Sequence, residues 1–217
     1  MTRRGGWPAA LRGLCALLLA VLLPATAFAG AQVEERLAPS VVTGLQHAIA
    51  DNPVPNDYAN RPYVAPWVAE MSRRLANRAG DDLYRREFLA TVHYEATRAG
   101  LDPQLVLGVI HHESGFKKYA LSSASARGYM QVMPFWTRLI GGTDHNLFNL
   151  RTNLRYGCVI LRHYLDTENG DYFRALGRYN GSLGRAEYPN AVLGAASRYR
   201  IESAAPAVLT TSGAATR

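Results

Sequence analysis

From Pro62 to Tyr199 apolar residues recur at three-to-four spacing, and no stretch of useful length alternates at the two-residue period of a strand. The longest such run is Leu150 to Thr167, where Leu154, Cys158, Leu161 and Leu165 fall on one helical face. Val64, Trp67, Val68, Met71 and Leu75 do the same in 62–77, and Phe88, Leu89, Val92 and Ala96 in the segment that Asp81 can cap and Gly100 can end. Asp102-Pro103 supplies a cap and a first-turn proline for a helix running to about Glu113. Gly128 to Ile140 is expected as two short helices broken at Pro134. Short helices are also expected at Ser40–Ala50, Tyr172–Tyr179 and Tyr188–Tyr199. Helical stripes of this kind must bury their apolar faces against one another, which gives one all-α domain.

The ends of the chain read differently. Residues 1–29 carry Arg3, Arg4 and Arg12, then an unbroken apolar run from Leu14 to Leu23, then Ala27-Phe28-Ala29. Basic start, short apolar core and small-residue cleavage site are the pattern of a secretory signal peptide. The run is shorter than the roughly 20 residues a membrane-spanning helix needs. Its removal takes three arginines and no acid from a chain of net charge +7, so the mature protein is only mildly basic. No basic run or basic-aromatic repeat remains, which excludes a nucleic-acid partner, and no mature transmembrane segment is expected. Cys158 then stands alone, since the other cysteine is Cys15. The expected organisation is a signal peptide at 1–29, an N-terminal arm and accessory helix at 30–80, a catalytic domain at 81–201 and a small, polar, flexible tail at 202–217.

Chemistry concentrates in residues 111–137, HHESGFKKYALSSASARGYMQVMPFWT. Val106, Val109 and Ile110 precede Glu113 by seven, four and three residues. That spacing sets the carboxyl group on the apolar face of its helix, at the C-terminal end. Apolar surroundings and the negative end of the helix dipole both oppose ionisation and raise the pKa. A carboxylic acid still protonated near neutrality is what general-acid catalysis requires. On periodicity alone, a glutamate reaching out at a helix end or paired with an arginine is the reading to prefer.

The same stretch resembles the catalytic signature of the soluble lytic transglycosylases, a family with a goose-type lysozyme-like fold. Glu113-Ser114, Phe116, Ala120, Ser122, Ala126, Gly128, Met130-Gln131 and Pro134 fall in its register. A second block matches at Arg178-Tyr179-Asn180-Gly181-Ser182, and Asn149-Leu150, Asn153-Leu154 and Gly157 resemble the helix between the blocks. The likeness covers about residues 100–190. Ser125 stands where the family usually has glycine, and Tyr129 where it usually has leucine. The resemblance implies a lysozyme-like helical fold, peptidoglycan glycan strands as partner, and cleavage between N-acetylmuramic acid and N-acetylglucosamine with 1,6-anhydro ring closure. Glu113 would be the single acid and base. Ser122, Tyr129, Gln131, Met133, Tyr179 and Asn180 would be substrate-binding residues, with Tyr179 bonding to or orienting the acid. With the signal peptide, the expectation is a periplasmic, monomeric enzyme that uses no cofactor, its place in wall turnover, a secretion or conjugation apparatus, or phage-like entry left open. After Glu113 the next acid is Asp144, so no second carboxylate is evident beside it. A hydrolase of lysozyme type and a non-catalytic wall-binding protein on the same fold are the alternatives.

Rival motifs fare worse. His111-His112-Glu113 lacks the second histidine of a zinc-protease helix, because position 116 is Phe, so no metal site is expected. Ser114-x-x-Lys117 matches a penicillin-recognising motif without its companion elements. Asn180-Gly181-Ser182 fits a glycosylation acceptor, but the second block explains it better.

Overall fold

The computed structural model describes residues 32–50 and 53–201. The expected signal peptide and flexible tail lie outside the described residues. Among those residues there are eight α-helices, one short 3-10 turn at Tyr58–Asn60 and no strand. The helices are α1 (Pro39–Ile49), α2 (Ala65–Arg74), α3 (Asp82–Arg98), α4 (Pro103–Ser114), α5 (Phe135–Ile140), α6 (Leu150–Thr167), α7 (Tyr172–Asn180) and α8 (Glu187–Ser197). No helix among them is long and apolar enough to cross a membrane.

The helix boundaries follow local chemistry. Asp81, Asp102, Asn149 and Asp171 each accept a backbone N–H of the first turn, at α3, α4, α6 and α7. Gly115 and Gly181 take left-handed backbone and close α4 and α7. The expectation of two helices in 128–140 fails in its first half. Residues 128–133 form a turn with isolated bridges, Leu121 to Arg127 and Arg127 to Val132, and only α5 is helical. Gly128 and Gln131 both have positive φ, at 73° and 47°, which no helix accommodates. Ser125, at the family's glycine position, likewise has φ 69°. A serine held there costs on the order of 1 kcal/mol relative to an unstrained site.

One core runs through the molecule. Leu45 and Ile49 of α1 and Trp67, Val68 and Met71 of α2 belong to the same buried cluster as Phe88, Ile110, Leu154, Leu161 and Val192. α4 packs on α8, α6 on α7 and α3, and α1 lies against α5 and α6. The α4–α8 approach depends on Gly108, because a Cβ there would stand 2.8 Å from the Ala196 Cβ and from the Val192 carbonyl oxygen. That close crossing brings the end of α4 to the start of α8.

Candidate active site

Val106, Val109 and Ile110 are fully buried and carry α4 into the core, as the spacing predicts. Glu113 follows one turn later and is half-buried. Its carboxyl meets α8, where the Tyr188 hydroxyl donates to Oε1 at 2.5 Å. Burial pushes the Glu113 pKa up to about 8, and the bond from Tyr188 works the other way by favouring the anion. Among the described residues no guanidinium and no second carboxylate contributes to that shift. Burial, then the Glu113 charge, raise the Tyr188 hydroxyl well above its ordinary value. His112 packs edge-on against the Tyr188 ring, with centroids 5.0 Å apart. Burial lowers the His112 pKa, so the ring beside the tyrosine is held neutral.

Tyr188 is the contact of Glu113 that sequence reasoning missed. It was legible only as the first residue of the last helix, and seventy-five residues separate it from Glu113. Tyr179, expected at the acid, donates instead to the Met130 carbonyl oxygen at 2.8 Å. It remains a neighbour. Burial first, then the charges of Glu113 and Cys158, push the Tyr179 hydroxyl up, against a hydrogen bond from Gln32.

The loop between α4 and α5 is held by its own polar groups. The Ser122 hydroxyl accepts the Ala126 N–H at 3.0 Å. The Gln131 amide donates to the Ala120 and Gly128 carbonyl oxygens, both at 3.1 Å. Asn153 of α6 is buried and accepts the Met130 N–H at 2.8 Å while donating to Arg127 and Leu147 carbonyls. Tyr129 is 3% exposed. Its ring lies on Phe88 and its hydroxyl is paired with that of Tyr84 at 2.5 Å, so this side chain faces the core. Met133 is half-buried, and Asn180 is buried at the end of α7. The structure therefore brings Glu113, Tyr188 and Tyr179 together, and gives Ser122, Gln131 and Tyr129 bonds that shape the wall. A surface cavity of about 510 Å³ is lined by Leu83, Arg86, Glu87 and Arg151 and not by Glu113. Among the described residues no group of three or more His, Cys, Asp or Glu could hold a metal ion.

The family profile described as Transglycosylase SLT domain matches residues 90–198, half of the chain. The chain belongs to that family. Similar proteins include the transglycosylase of Enterobacteria phage PRD1, 34% identical over 98 residues that span 45% of this chain and 36% of that protein. The membrane-bound lytic murein transglycosylase C of Haemophilus influenzae is 30% identical over 115 residues, 46% of this chain and 32% of its own. The protein of the same description from Histophilus somni is 28% identical over 156 residues, 64% of this chain and 39% of its own. The chain thus spans well under half the length of the curated relatives it matches. An X-ray structure of an inactive mutant of lytic transglycosylase Slt from Pseudomonas aeruginosa aligns with a TM-score of 0.47 at 20% identity, over 79% of this chain and 38% of that one.

Proposed function

We propose that the protein is a peptidoglycan lytic transglycosylase, exported to the periplasm, that cleaves the bond between N-acetylmuramic acid and N-acetylglucosamine. The observation that carries this reading is a Glu113 carboxyl whose pKa stands at about 8 and whose one hydrogen-bond partner among the described residues is a tyrosine. Such a group holds its proton at neutral pH and can deliver it to a glycosidic oxygen as the C1–O bond breaks. The Tyr188 hydrogen bond then stabilises the carboxylate left behind. That carboxylate takes the proton of the muramoyl 6-hydroxyl as its oxygen closes on C1, and the acid is restored.

Most glycosidases divide this work between two carboxylates. That no second acid acts on Glu113 favours the cyclising route, in which the incoming nucleophile is part of the substrate. In this reading Met133 and Asn180 meet the sugars, Ser122, Gln131 and Tyr129 fix the wall that presents them, and Tyr179 supports the acid from α7. Catalysis would belong to the domain at 81–201, with 30–80 as its arm and accessory helix and the protein working as a monomer. The test is product analysis by mass spectrometry after digestion of purified cell-wall sacculi. Muropeptides with 1,6-anhydromuramoyl ends are expected. Hydrated reducing ends alone would make the protein a hydrolase of lysozyme type, and no release of products would leave a wall-binding protein.

A further inference from the structure

The N-terminal arm ahead of α1 ends in the site just described. Gln32 is a polar residue only 4% exposed, far from any helix of its own. Its side-chain Oε1 accepts the Met133 N–H at 3.2 Å, across a hundred residues of sequence. Two ion pairs hold the arm beside it. Glu34 lies 3.8 Å from Arg138 of α5, and Glu35 lies 3.5 Å from Arg178 of α7. Leu37 packs on the core just before α1 begins. The arm therefore crosses from the α5 side, where the first motif block ends, to α7, which carries the second.

We propose that Gln32 is a positioning residue of the active site, a bridge that fixes the Met130–Met133 segment and Tyr179 relative to each other and so to Glu113. The amide has the two functions this needs. Its oxygen takes the Met133 N–H, and its nitrogen can donate to the Tyr179 hydroxyl, in keeping with the lowering effect of Gln32 on the Tyr179 pKa against the stronger effect of burial. Tyr179 in turn donates to the Met130 carbonyl oxygen, three residues before Met133. Geometry gives two links, from Met133 to Gln32 and from Tyr179 to Met130, and the link between Gln32 and Tyr179 is the part that the proposal adds. Every member is little exposed or backbone, so each bond lost leaves a buried polar group unpaired. Gln32 lies outside residues 90–198, the stretch the family profile matches. The catalytic part of this role rests on the activity proposed above. A buried amide flanked by two ion pairs fits a built component better than a plug that a substrate must displace.

The variant to test is Gln32→Met, which keeps the side-chain volume and removes both hydrogen-bonding groups. Two readouts separate positioning from packing. The first needs no activity: hydrogen exchange of the Met133 amide, read by NMR, should quicken by about tenfold when its acceptor is gone. The second is kinetic. On solubilised glycan strands kcat should fall roughly tenfold, because a small displacement of the reacting geometry is costly, while KM stays within about twofold. The melting temperature should move by no more than about 3 °C. Unchanged Met133 exchange overturns the proposal, as does an unchanged kcat. A rise in kcat/KM would make the arm an obstructing strap and overturn it too. So would a loss of kcat that follows the loss of Tm and disappears well below the melting point. Should the wild-type protein release no products, the activity reading falls by itself, and Met133 exchange alone decides the role of Gln32.

Discussion

Two glutamates sit at the C-terminal ends of helices, Glu113 in the last turn of α4 and Glu168 just beyond α6, and they are driven in opposite directions. Burial raises Glu113 to about 8. Hydrogen bonds from Arg178 and then Arg174 lower Glu168. Both positions face the negative end of a helix dipole, so the dipole does not separate them. Desolvation leads at Glu113, whereas charged hydrogen bonds outweigh it at Glu168. A guanidinium donates and carries positive charge, which favours the anion strongly, whereas a phenol donates without charge and leaves desolvation in command. A third glutamate, Glu95 of α3, makes the same point deeper in the core, where Arg155 bonds both of its oxygens at 2.7 Å. Glu95 and Glu168 are paired with arginine, and among the described residues no arginine contributes to the Glu113 shift.

The largest expected effect comes from removing that acid. Glu113→Gln should cut glycan cleavage on the order of 10²–10⁴-fold while the protein stays folded. Its stability should respond to pH in a defined sense. Glu113 ionises near 8 in the folded protein and near its ordinary 4.5 in the unfolded chain, so between those values the folded state holds a proton that the unfolded state releases. Wild-type stability from this group is therefore full below about pH 4.5 and lost as pH rises through 8. The variant should melt higher than wild type at pH 9 and alike at pH 4, in calorimetric scans. A Glu113→Gln protein that melts like wild type at both pH values would show that the carboxyl is solvated after all.

A middle-sized effect is expected of Tyr188→Phe. Losing a donor that favours the anion should lift the Glu113 pKa further, moving the alkaline limb of the pH–rate profile upward. The maximal rate should fall roughly tenfold as the carboxylate left on Glu113 loses its stabilising bond. A limb that moves to lower pH would contradict the role given to the tyrosine. The smallest effect belongs to the other glutamate. Arg174 is half exposed, so Arg174→Met should lower the melting temperature by only about 2 °C at pH 7. Glu168 has a depressed pKa, so its contribution exists above the ordinary carboxylate range and is lost as pH falls through the depressed value. The Arg174→Met deficit should accordingly vanish in acid, where an undiminished deficit would point to lost packing instead.

Much of the helical frame was legible because its signals are local. Asp81, Asp102 and Gly115 act within a turn of the residues they cap or terminate, and α6 spans Leu150–Thr167 as its periodicity requires. The loop before α5 was less legible. Gly128 signalled a break, but nothing in the composition of Gln131 marks a residue with φ 47°, which Asn153 and the Gln131 side chain itself hold in place from a distance. The departure at Ser125 did carry information, since a position the family gives to glycine has left-handed backbone here as well.

For the site, spacing against Val106, Val109 and Ile110 determined that Glu113 would face apolar surroundings, because helical geometry fixes which side chains share a face. What partner the carboxyl would find was decided only by the packing of α8 on α4 at Gly108, which chose Tyr188 over Tyr179 and over every arginine. The arm was equally silent, for a glutamine carries no periodic or capping signal that foretells an amide buried against Met133. Sequence sets what is near along the chain, whereas the proton on Glu113 depends on charges and donors that only folding brings within a few ångströms.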